Sequence, residues 1–330
     1  MTMKLVTLPD ATTRPLPFYL AEEEWLARRY AEGDFFFMWQ VEPTVIIGRN
    51  QLAAKEIDID FCRAQGIRIV RRKSGGGAVL ADLNNIMLSY VTTSTDTVAE
   101  TFLAYTSAVA SALRRMGLDA SATSRNDVLI GAAKVSGNSY YRLGRRSIVH
   151  GTMLYDCDRE LMGKVLRPAP AKLRSHGVAS VRSRVTTIRE HLPDLDIATF
   201  GRLLRDNILA DGAEEWCLTE ADVAEIEAMS QEYHDPARLT RLNPRADVEA
   251  EARIEGAGTI AAHVGLREGR VASLTLTGDY LENDDASAIL EARLKGAEYT
   301  PAGITAALAG FDPGGTVRGL TTEALLQLLF

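Results

Sequence analysis

The stretch IRIVRRKSGGGAVLADLNNIMLSYV, residues 67–91, contains the pattern that decides the fold. Its two ends, Ile67–Arg71 and Ile86–Val91, are rich in β-branched and apolar residues, which is typical of strands. A short apolar run, Ala78–Leu80, lies between them, directly after three glycines. Strands this close in sequence tend to lie next to each other in a sheet. The stretch therefore predicts a mixed, mostly antiparallel sheet.

Helices and further strands are predicted on both sides of this stretch. The strongest helix is Thr97–Met116, where apolar residues recur at spacings of three and four, Thr97 and Glu100 have capping-box spacing, and Gly117 follows the last turn. The other predicted helices are 18–31, 58–65, 158–166, 198–209 and 220–229, and the other predicted strands are 35–39, 44–47, 128–130, 132–136 and 147–154. This mixture predicts an α+β fold with mixed, mostly antiparallel sheets flanked by helices.

The last quarter of the chain has a different pattern. Residues 235–247 contain two prolines and little periodicity, which favours a linker. Apolar residues then alternate over 260–266 and 272–276, and three helical stretches follow at 286–294, 304–309 and 321–329. We predict a larger domain over 1–240, a linker over 241–247 and a second, small α+β domain over 248–330.

The composition excludes several classes of protein. The chain has 330 residues, of which 46% are hydrophobic and 25% charged, as in an ordinary globular protein. A net charge of −7 disfavours a surface that binds nucleic acid. Three widely spaced cysteines, Cys62, Cys157 and Cys217, favour neither a disulfide framework nor a zinc site. Because no signal peptide and no long apolar run is visible, we expect a cytoplasmic protein with no membrane and no nucleic-acid partner.

The glycine loop at residues 74–77 is the strongest candidate for a binding site. Three glycines allow backbone N–H groups to approach a ligand, and Arg71 and Arg72 add donors for a phosphate or carboxylate. The spacing matches neither a P-loop nor a dinucleotide-binding fingerprint. The alternative is a flexible hairpin loop without a ligand.

A second candidate lies at Asn126-Asp127 and Lys134–Asn138. In a strand, Lys134 and Ser136 point to one face, and a lysine there can follow negative charge that moves from a carboxylate to a phosphate. Asp127 is a candidate oxygen ligand for Mg²⁺. The alternative is a surface lysine beside a loop. His150 lies in an apolar strand, where a lone histidine is more often a hydrogen-bonded structural residue than a ligand or base.

Together these segments resemble the lipoate–protein ligase A family. The matching pieces, in order, are Trp39-Gln40 with Pro43–Gln51, Arg71–Val79, Arg125–Asp127, Lys134–Gly137, His150–Thr152 and Val181–Val185. Each is weak alone, but six in this order over about 150 residues are specific, and the small second domain resembles the accessory domain of the family.

The resemblance implies a fold shared with biotin ligases and class II synthetase cores. It also implies an ATP-dependent ligase that uses ATP and Mg²⁺, joins lipoate to AMP and releases pyrophosphate. The lipoyl group would then pass to a lysine of an acceptor protein. The acceptors implied are lipoyl domains of 2-oxoacid dehydrogenase E2 subunits or the glycine-cleavage H protein.

Site residues follow from the same resemblance, position by position. Lys134 would be the catalytic residue and would contact both ATP and lipoate. ATP or lipoyl-AMP would be bound by Arg72, Ser74, Gly75, Gly76, Gly77, Ala78, Val79, Leu80, Lys134, Ser136, His150, Gly151 and Arg182. One departure is that the family usually continues with His-Asp-x-Gly-Asn where this chain has Ala81–Asn85, so one histidine ring is missing from the predicted pocket.

A second function remains open, because relatives on this scaffold are octanoyl- or lipoyl-transferases that use a cysteine and no ATP. Cys157 would be that nucleophile. It lies between Asp156 and Asp158, and we expect these carboxylates to raise its pKa and make it a poor thiolate. A non-catalytic lipoyl-binding module and a biotin ligase are weaker alternatives.

Overall fold

Fourteen strands and twelve α-helices are formed by the residues described in the computed structural model, which are 2–93, 97–123, 126–167 and 185–330. The strands are β1 Lys4–Thr7, β2 Phe35–Trp39, β3 Thr44–Ile47, β4 Arg68–Arg71, β5 Val79–Ala81, β6 Ile86–Thr93, β7 Ala120–Ala122, β8 Asp127–Ile130, β9 Ala133–Leu143, β10 Arg146–Met153, β11 Glu214–Cys217, β12 Val248–Ile254, β13 Gly258–Arg267 and β14 Arg270–Gly278. The helices are α1 Leu16–Arg29, α2 Ala53–Glu56, α3 Ile59–Ala64, α4 Val98–Arg115, α5 Arg159–Val165, α6 Ile188–His191, α7 Ile197–Ala210, α8 Glu220–Ser230, α9 Ala237–Thr240, α10 Ala286–Leu294, α11 Pro301–Ala307 and α12 Thr322–Leu329.

The strands form three sheets. The largest has the order β11-β1-β2-β6-β10-β9-β8-β7, parallel from β11 to β2 and antiparallel from β2 onward. A small sheet has the order β4-β3-β5, and the C-terminal region forms the antiparallel sheet β12-β13-β14. The predicted α+β class with a second, smaller domain is confirmed.

The large sheet is covered by helices on both faces. On one face α4 and α7 pack against the sheet, with Phe102 and Tyr105 of α4 fully buried. On the other face α1 and α8 pack, with Leu20 and Trp25 of α1 buried. Helix α4 starts as predicted, because the Thr97 side chain accepts a hydrogen bond from the Glu100 N–H and caps the helix. Within the described ranges, no helix is long and apolar enough to cross a membrane.

The segment predicted as a linker contains a short helix. Residues 237–240 form α9, and Arg71 donates hydrogen bonds to the carbonyl oxygens of Arg238 and Leu239 at 2.7 and 2.9 Å. The same guanidinium donates to the carbonyls of Gly48 and Gln51. The prediction of an irregular segment from 235 was therefore wrong for these residues, because a buried arginine from β4 holds them. Residues 241–247 have no helix or strand, and β12 begins at Val248.

Helix α1 places three consecutive glutamates in the protein interior. Glu24 is ion-paired with Lys73 at 2.7 Å, and Glu23 is part of the site described below. Glu22 is 2% exposed, and its Oε2 atom has no hydrogen-bond partner among the described residues. Burial, and then the neighbouring Glu23, raise the pKa of Glu22 to about 8. Glu22 is thus a buried acid that takes up its proton on folding.

Glu22→Gln should flatten the pH dependence of stability. Between the ordinary pKa of 4.5 and the folded value of about 8, the folded chain keeps a proton that the unfolded chain releases. The free energy of unfolding of the wild type should therefore fall, relative to the variant, by up to about 1.4 kcal/mol per pH unit as pH rises. Urea titrations at pH 5, 6.5 and 8 measure this difference, with the exposed Glu251→Gln as control. Parallel pH profiles for wild type and Glu22→Gln would contradict it.

Candidate active site

A cavity of about 1290 Å³ lies where the large sheet, the glycine loop and the smaller domain meet. It is larger than the 300–1,000 Å³ that is typical of a pocket for one small ligand. One wall is apolar and is built from side chains of the core between α1 and the sheets: Leu20, Trp39, Ile46, Val79 and Met87. Apart from Val79, these side chains were not predicted as site residues, since apolar residues in strands and helices look like ordinary core.

Arg72 organises the glycine loop from inside. Its guanidinium donates hydrogen bonds to the carbonyl oxygens of Gly75 and Gly77, and to Ser74 Oγ at 2.9 Å. Burial lowers the pKa of Arg72 to about 10, so it remains charged at neutral pH. The loop also needs a glycine at position 76, where φ is +83°. Arg72 lines the cavity, but its donors hold the loop rather than pointing at a ligand.

His150 connects the loop to helix α1. Its Nε2 atom is 2.6 Å from Ser74 Oγ, and its Nδ1 atom is 2.9 Å from Glu23 Oε1. Glu23 also accepts a hydrogen bond of 2.6 Å from Ser89. A proton on Nδ1 satisfies this network, because a carboxylate accepts it and Nε2 can then accept from Ser74. The orientation of the imidazole is thus fixed by Glu23, which is fully buried.

Lys134 lies at the start of β9 and lines the cavity beside Asn138. Its ammonium group is 2.7 Å from Asp127 Oδ1, and its side chain remains about one third exposed. A Cβ atom on Gly137 would lie 2.6 Å from Lys134 Nζ, so the glycine three residues later leaves room for the lysine. A bulge opposite Val128–Leu129 interrupts the alternation of β9, and Ser136 is buried instead of sharing the face of Lys134.

The predicted site residues are thus divided by the structure. Those that line the cavity are Arg72, Gly76, Gly77, Ala78, Val79, Leu80, Lys134, His150 and Gly151. Ser74, Gly75 and Ser136 do not line it; Ser74 and Gly75 lie behind the loop, where they bind Arg72, and Ser136 is buried next to Asn138. Arg182 and Arg125 lie outside the described residues.

Asp127, the predicted Mg²⁺ ligand, already contacts a cation of the protein. Its carboxylate is ion-paired to Lys134, and the described part of the chain holds no group of three or more His, Cys, Asp or Glu side chains that could bind a metal. Mg²⁺ is commonly held by one or two carboxylates together with substrate phosphates. Asp127 as a Mg²⁺ ligand therefore stays a prediction, which requires the ammonium group of Lys134 to leave the carboxylate.

The smaller domain closes the cavity. The Gly76 N–H donates to the carbonyl of Tyr280 at 2.9 Å, and the Gly278 N–H donates to the carbonyl of Asn50 at 2.8 Å. Arg49 forms ion pairs with Glu282 and Asp285. Cavity-lining residues that this domain contributes, and that were not predicted, include Arg253, Asp279, Leu281 and Arg318. No local motif marks them, since they meet the site only through packing of the two domains.

Two family models match the chain. The lipoyl protein ligase A/B catalytic domain matches residues 16–208, and the bacterial lipoate protein ligase C-terminus matches residues 243–329. The first alone covers more than half of the chain. The chain belongs to the lipoate–protein ligase family. The resemblance drawn from the six sequence motifs is therefore confirmed.

Curated relatives in this family match over nearly their whole length. Lipoate–protein ligase 1 of Staphylococcus aureus is 32% identical over 297 residues, which cover 89% of this chain and 90% of the relative. A lipoate–protein ligase of Bacillus subtilis is 30% identical over 318 residues, which cover 94% of this chain and 96% of the relative.

Solved structures agree with this family at the level of the fold. A bipartite lipoate protein ligase of Thermoplasma acidophilum, described with its E2 lipoyl domain, is 26% identical, with a TM-score of 0.64, covering 75% of this chain and all of that chain. A T. acidophilum protein with bound lipoic acid is 25% identical, with a TM-score of 0.60, and the match covers 74% of this chain and all of that chain. A lipoate-bound protein of P. falciparum, at 16% identity, has a TM-score of 0.77 over 98% of this chain and 97% of that one, which shows the fold alone.

Proposed function

We propose that this member of the family is an ATP-dependent ligase that activates lipoate as lipoyl-AMP and transfers the lipoyl group to a lysine of an acceptor protein. The observation that carries the proposal is the cavity itself. It combines an apolar wall around Trp39 with cationic side chains, including Lys134, in one space large enough for two ligands. An acyl chain and a nucleotide are the pair of ligands that such a cavity suits.

The first step would join the carboxylate of lipoate to the α-phosphorus of ATP. A carboxylate oxygen forms the new bond to phosphorus, and the bond to the bridging oxygen breaks with release of pyrophosphate. Lys134 would stabilise the charge that develops between these groups, since its ammonium lies on a flexible chain at the cavity wall. Asp127 would hold the ammonium until the substrates bind.

The glycine loop and His150 would form the fixed side of the site. Arg72 holds the loop carbonyls inward, which leaves the cavity side of Gly77–Leu80 for the ligand. Glu23 holds the imidazole of His150 in one orientation next to this loop. Preorganised groups of this kind need no rearrangement during the reaction.

The second step would consume the adenylate. The ε-amine of the acceptor lysine attacks the lipoyl carbonyl, the amide bond forms and AMP leaves. We propose a lipoyl domain of a 2-oxoacid dehydrogenase E2 subunit or a glycine-cleavage H protein as acceptor. Support comes from the T. acidophilum ligase described with its E2 lipoyl domain.

Exchange of labelled pyrophosphate into ATP tests the adenylation step directly. The full chain, ATP and Mg²⁺ should give exchange with lipoate, and the assay should run in parallel with octanoate and biotin. A lipoyl domain added afterwards should gain one lipoyl group, measured by intact mass. Absence of exchange with lipoate and octanoate, in a protein that binds ATP, would contradict the proposal.

A transferase that uses Cys157 is the second candidate, because Cys157 lines the same cavity. Its thiol is half-buried, and its Sγ lies 3.9 Å from Met162 Sδ. Burial, followed by Asp82, raises the pKa of Cys157, and Asp156 and Asp158 add to the rise as expected from the sequence. A thiol with a raised pKa is a poor nucleophile at neutral pH, which disfavours the transferase.

Cys157→Ser should therefore keep ATP-dependent lipoylation of an acceptor within about threefold of the wild-type rate. A ligase adenylate is attacked by the acceptor amine and needs no enzyme thioester. Both proteins should be assayed with ATP and free lipoate, and without ATP from an octanoyl- or lipoyl-protein donor. If the wild type works from the acyl-protein donor and the serine variant fails, the transferase replaces the ligase.

A further inference from the structure

We infer that Glu23, Ser74 and Ser89 are positioning residues that connect the apolar wall of the cavity to the glycine loop, so that lipoate and the nucleotide strengthen each other's binding. This inference rests on the proposed function, because it concerns how the two ligands of one cavity act on each other. A continuous chain of buried hydrogen bonds joins the two regions. This wall-to-loop chain consists, in order, of Trp39, Ser89, Glu23, His150, Ser74 and Arg72.

The half of the chain that begins at the apolar wall has two links. The indole N–H of Trp39 donates to Ser89 Oγ at 2.9 Å, and the Ser89 hydroxyl donates to Glu23 Oε1 at 2.6 Å. Tyr19 of α1 stacks on the Trp39 indole, with ring centres 4.9 Å apart and an angle of 9° between the rings. A ligand that packs against this indole therefore contacts a ring whose plane and N–H direction are both fixed.

The other half of the chain ends at the glycine loop. His150 Nδ1 lies 2.9 Å from Glu23 Oε1, and His150 Nε2 lies 2.6 Å from Ser74 Oγ. Ser74 Oγ also accepts a hydrogen bond of 2.9 Å from Arg72 Nε, and the same guanidinium donates to two carbonyl oxygens of the loop. The two halves thus meet at the Glu23 carboxylate.

The direction of each hydrogen bond follows from the groups at the ends of the chain. The indole of Trp39 and the guanidinium of Arg72 can only donate, and the carboxylate of Glu23 can only accept. Each serine hydroxyl then accepts one hydrogen bond and donates the next, and the His150 proton lies on Nδ1. All donors therefore point toward Glu23, and reversing one link would leave a buried donor or acceptor unpaired.

Burial and strand pairing hold the chain in place. Ser74, Ser89 and Glu23 are fully buried, and Trp39 and His150 are only 4% and 7% exposed. Hydrogen bonds in such surroundings are stronger than at the surface, because water does not compete for the polar groups. Ser89 of β6 lies directly opposite His150 of β10 in the register of the large sheet. The backbone of two adjacent strands therefore sets the spacing around Glu23.

The two ligands would act on opposite ends of this chain. An acyl group packed on Trp39 would restrict the indole, and a nucleotide on the cavity side of Gly77–Leu80 would restrict the loop that Arg72 holds. The ligand that binds first orders the shared hydrogen bonds, and the second then binds with a smaller loss of conformational entropy. Because coupling between two sites is reciprocal, each ligand should tighten binding of the other by the same factor.

Calorimetry on the full chain tests this coupling. The probes are lipoate and an ATP analogue with a methylene group between its α- and β-phosphates, which cannot release pyrophosphate. The coupling factor is the dissociation constant of the analogue without lipoate divided by its value with saturating lipoate. It should be about tenfold in the wild type.

Ser89→Ala breaks the chain on the wall side of Glu23, and Ser74→Ala breaks it on the loop side. In either variant the coupling factor should fall below about threefold, because the acyl wall and the loop are no longer connected. A general loosening of the fold would weaken binding of the analogue equally with and without lipoate, and would leave the coupling factor unchanged.

Ser147→Ala is the matched control. Ser147 is also fully buried and lies on β10, where its hydroxyl is 3.2 Å from the hydroxyl of Tyr140. It is three residues from His150, so the two side chains lie on opposite faces of the sheet. This variant should keep the coupling factor of the wild type.

A coupling factor of about threefold or more in a folded Ser89→Ala or Ser74→Ala variant would overturn the inference, as would a smaller factor in the wild type or in Ser147→Ala. If one of the two chain variants does not fold, the other decides, because each breaks a different link. Coupling without lipoate-dependent pyrophosphate exchange would support the chain and contradict the proposed function. Exchange without coupling would support the function and contradict the chain.

Discussion

Lys134→Ala should lower the rate of lipoyl-AMP formation by two to three orders of magnitude while the fold is retained. The ammonium group lines the cavity and is held by a single ion pair with Asp127, at 2.7 Å. Loss of one charge that stabilises a transition state typically raises the barrier by about 3–4 kcal/mol. The side chain is about one third exposed, so its removal leaves no core cavity and should change the free energy of unfolding little.

Single-turnover formation of lipoyl-AMP, with ATP and lipoate both saturating, measures this loss apart from binding. Lys55→Ala removes an exposed lysine from α2, outside the cavity lining, and should keep the wild-type rate. Lys134→Arg retains the charge on a stiffer head group and should lie between the two. An adenylation rate for Lys134→Ala within threefold of wild type would remove this residue from the mechanism.

Elements with local signals could be predicted from the sequence almost to the residue. Helix α4 was predicted at Thr97–Met116 and occupies Val98–Arg115, because its cap, its apolar stripe and the following glycine are all adjacent in sequence. Strands β2 and β3 were predicted with their observed bounds. In these cases the residues that decide the structure are the residues of the element itself.

Elements that depend on distant partners were missed. β1 pairs with β11, about 210 residues away, and both are four-residue strands at one edge of the sheet. β12 has the sequence VEAEARI, in which alanine and glutamate have low strand propensity. It becomes a strand because its backbone pairs with β13 from Val248 to Ile254. Such pairing cannot be inferred from a window of a few residues.

The site shows the same contrast between residues with a local sequence signal and residues that depend on distant parts of the chain. The motifs indicated Gly76 and Gly77 of the glycine loop, Lys134 and His150, all of which line the cavity. They did not indicate that Arg72 donates its hydrogen bonds to the loop carbonyls. The spacing of residues in a motif does not show which acceptor a guanidinium group contacts. The apolar wall and the arginines of the smaller domain come from elements that are far apart in sequence. The local sequence does not distinguish these residues from other core or surface residues, and only the fold brings them together around one cavity.

Gly76→Val should abolish binding of ATP and lipoyl-AMP, with dissociation constants at least a hundredfold higher. Residue 76 has φ +83°, and a Cβ atom there would lie 3.1 Å from Arg72 Nη2 and 3.6 Å from Leu281. A valine side chain would therefore push on the guanidinium that holds the loop carbonyls and would project toward the cavity. Because Gly76 also donates its N–H to Tyr280, the change would disturb the loop and the docked domain together.

Gly66→Val separates this effect from backbone strain. Gly66 has φ +67°, also in the left-handed region, but a Cβ atom there meets nothing within 4 Å, and the residue does not line the cavity. A β-branched residue at either position should lower the free energy of unfolding by about 1–3 kcal/mol. Calorimetric titration of both folded variants with lipoyl-AMP then shows whether affinity is lost through the loop or through backbone strain. Equal, near-wild-type affinities would show that the loop only connects two strands, whereas selective loss in Gly76→Val places the adenylate against the loop backbone.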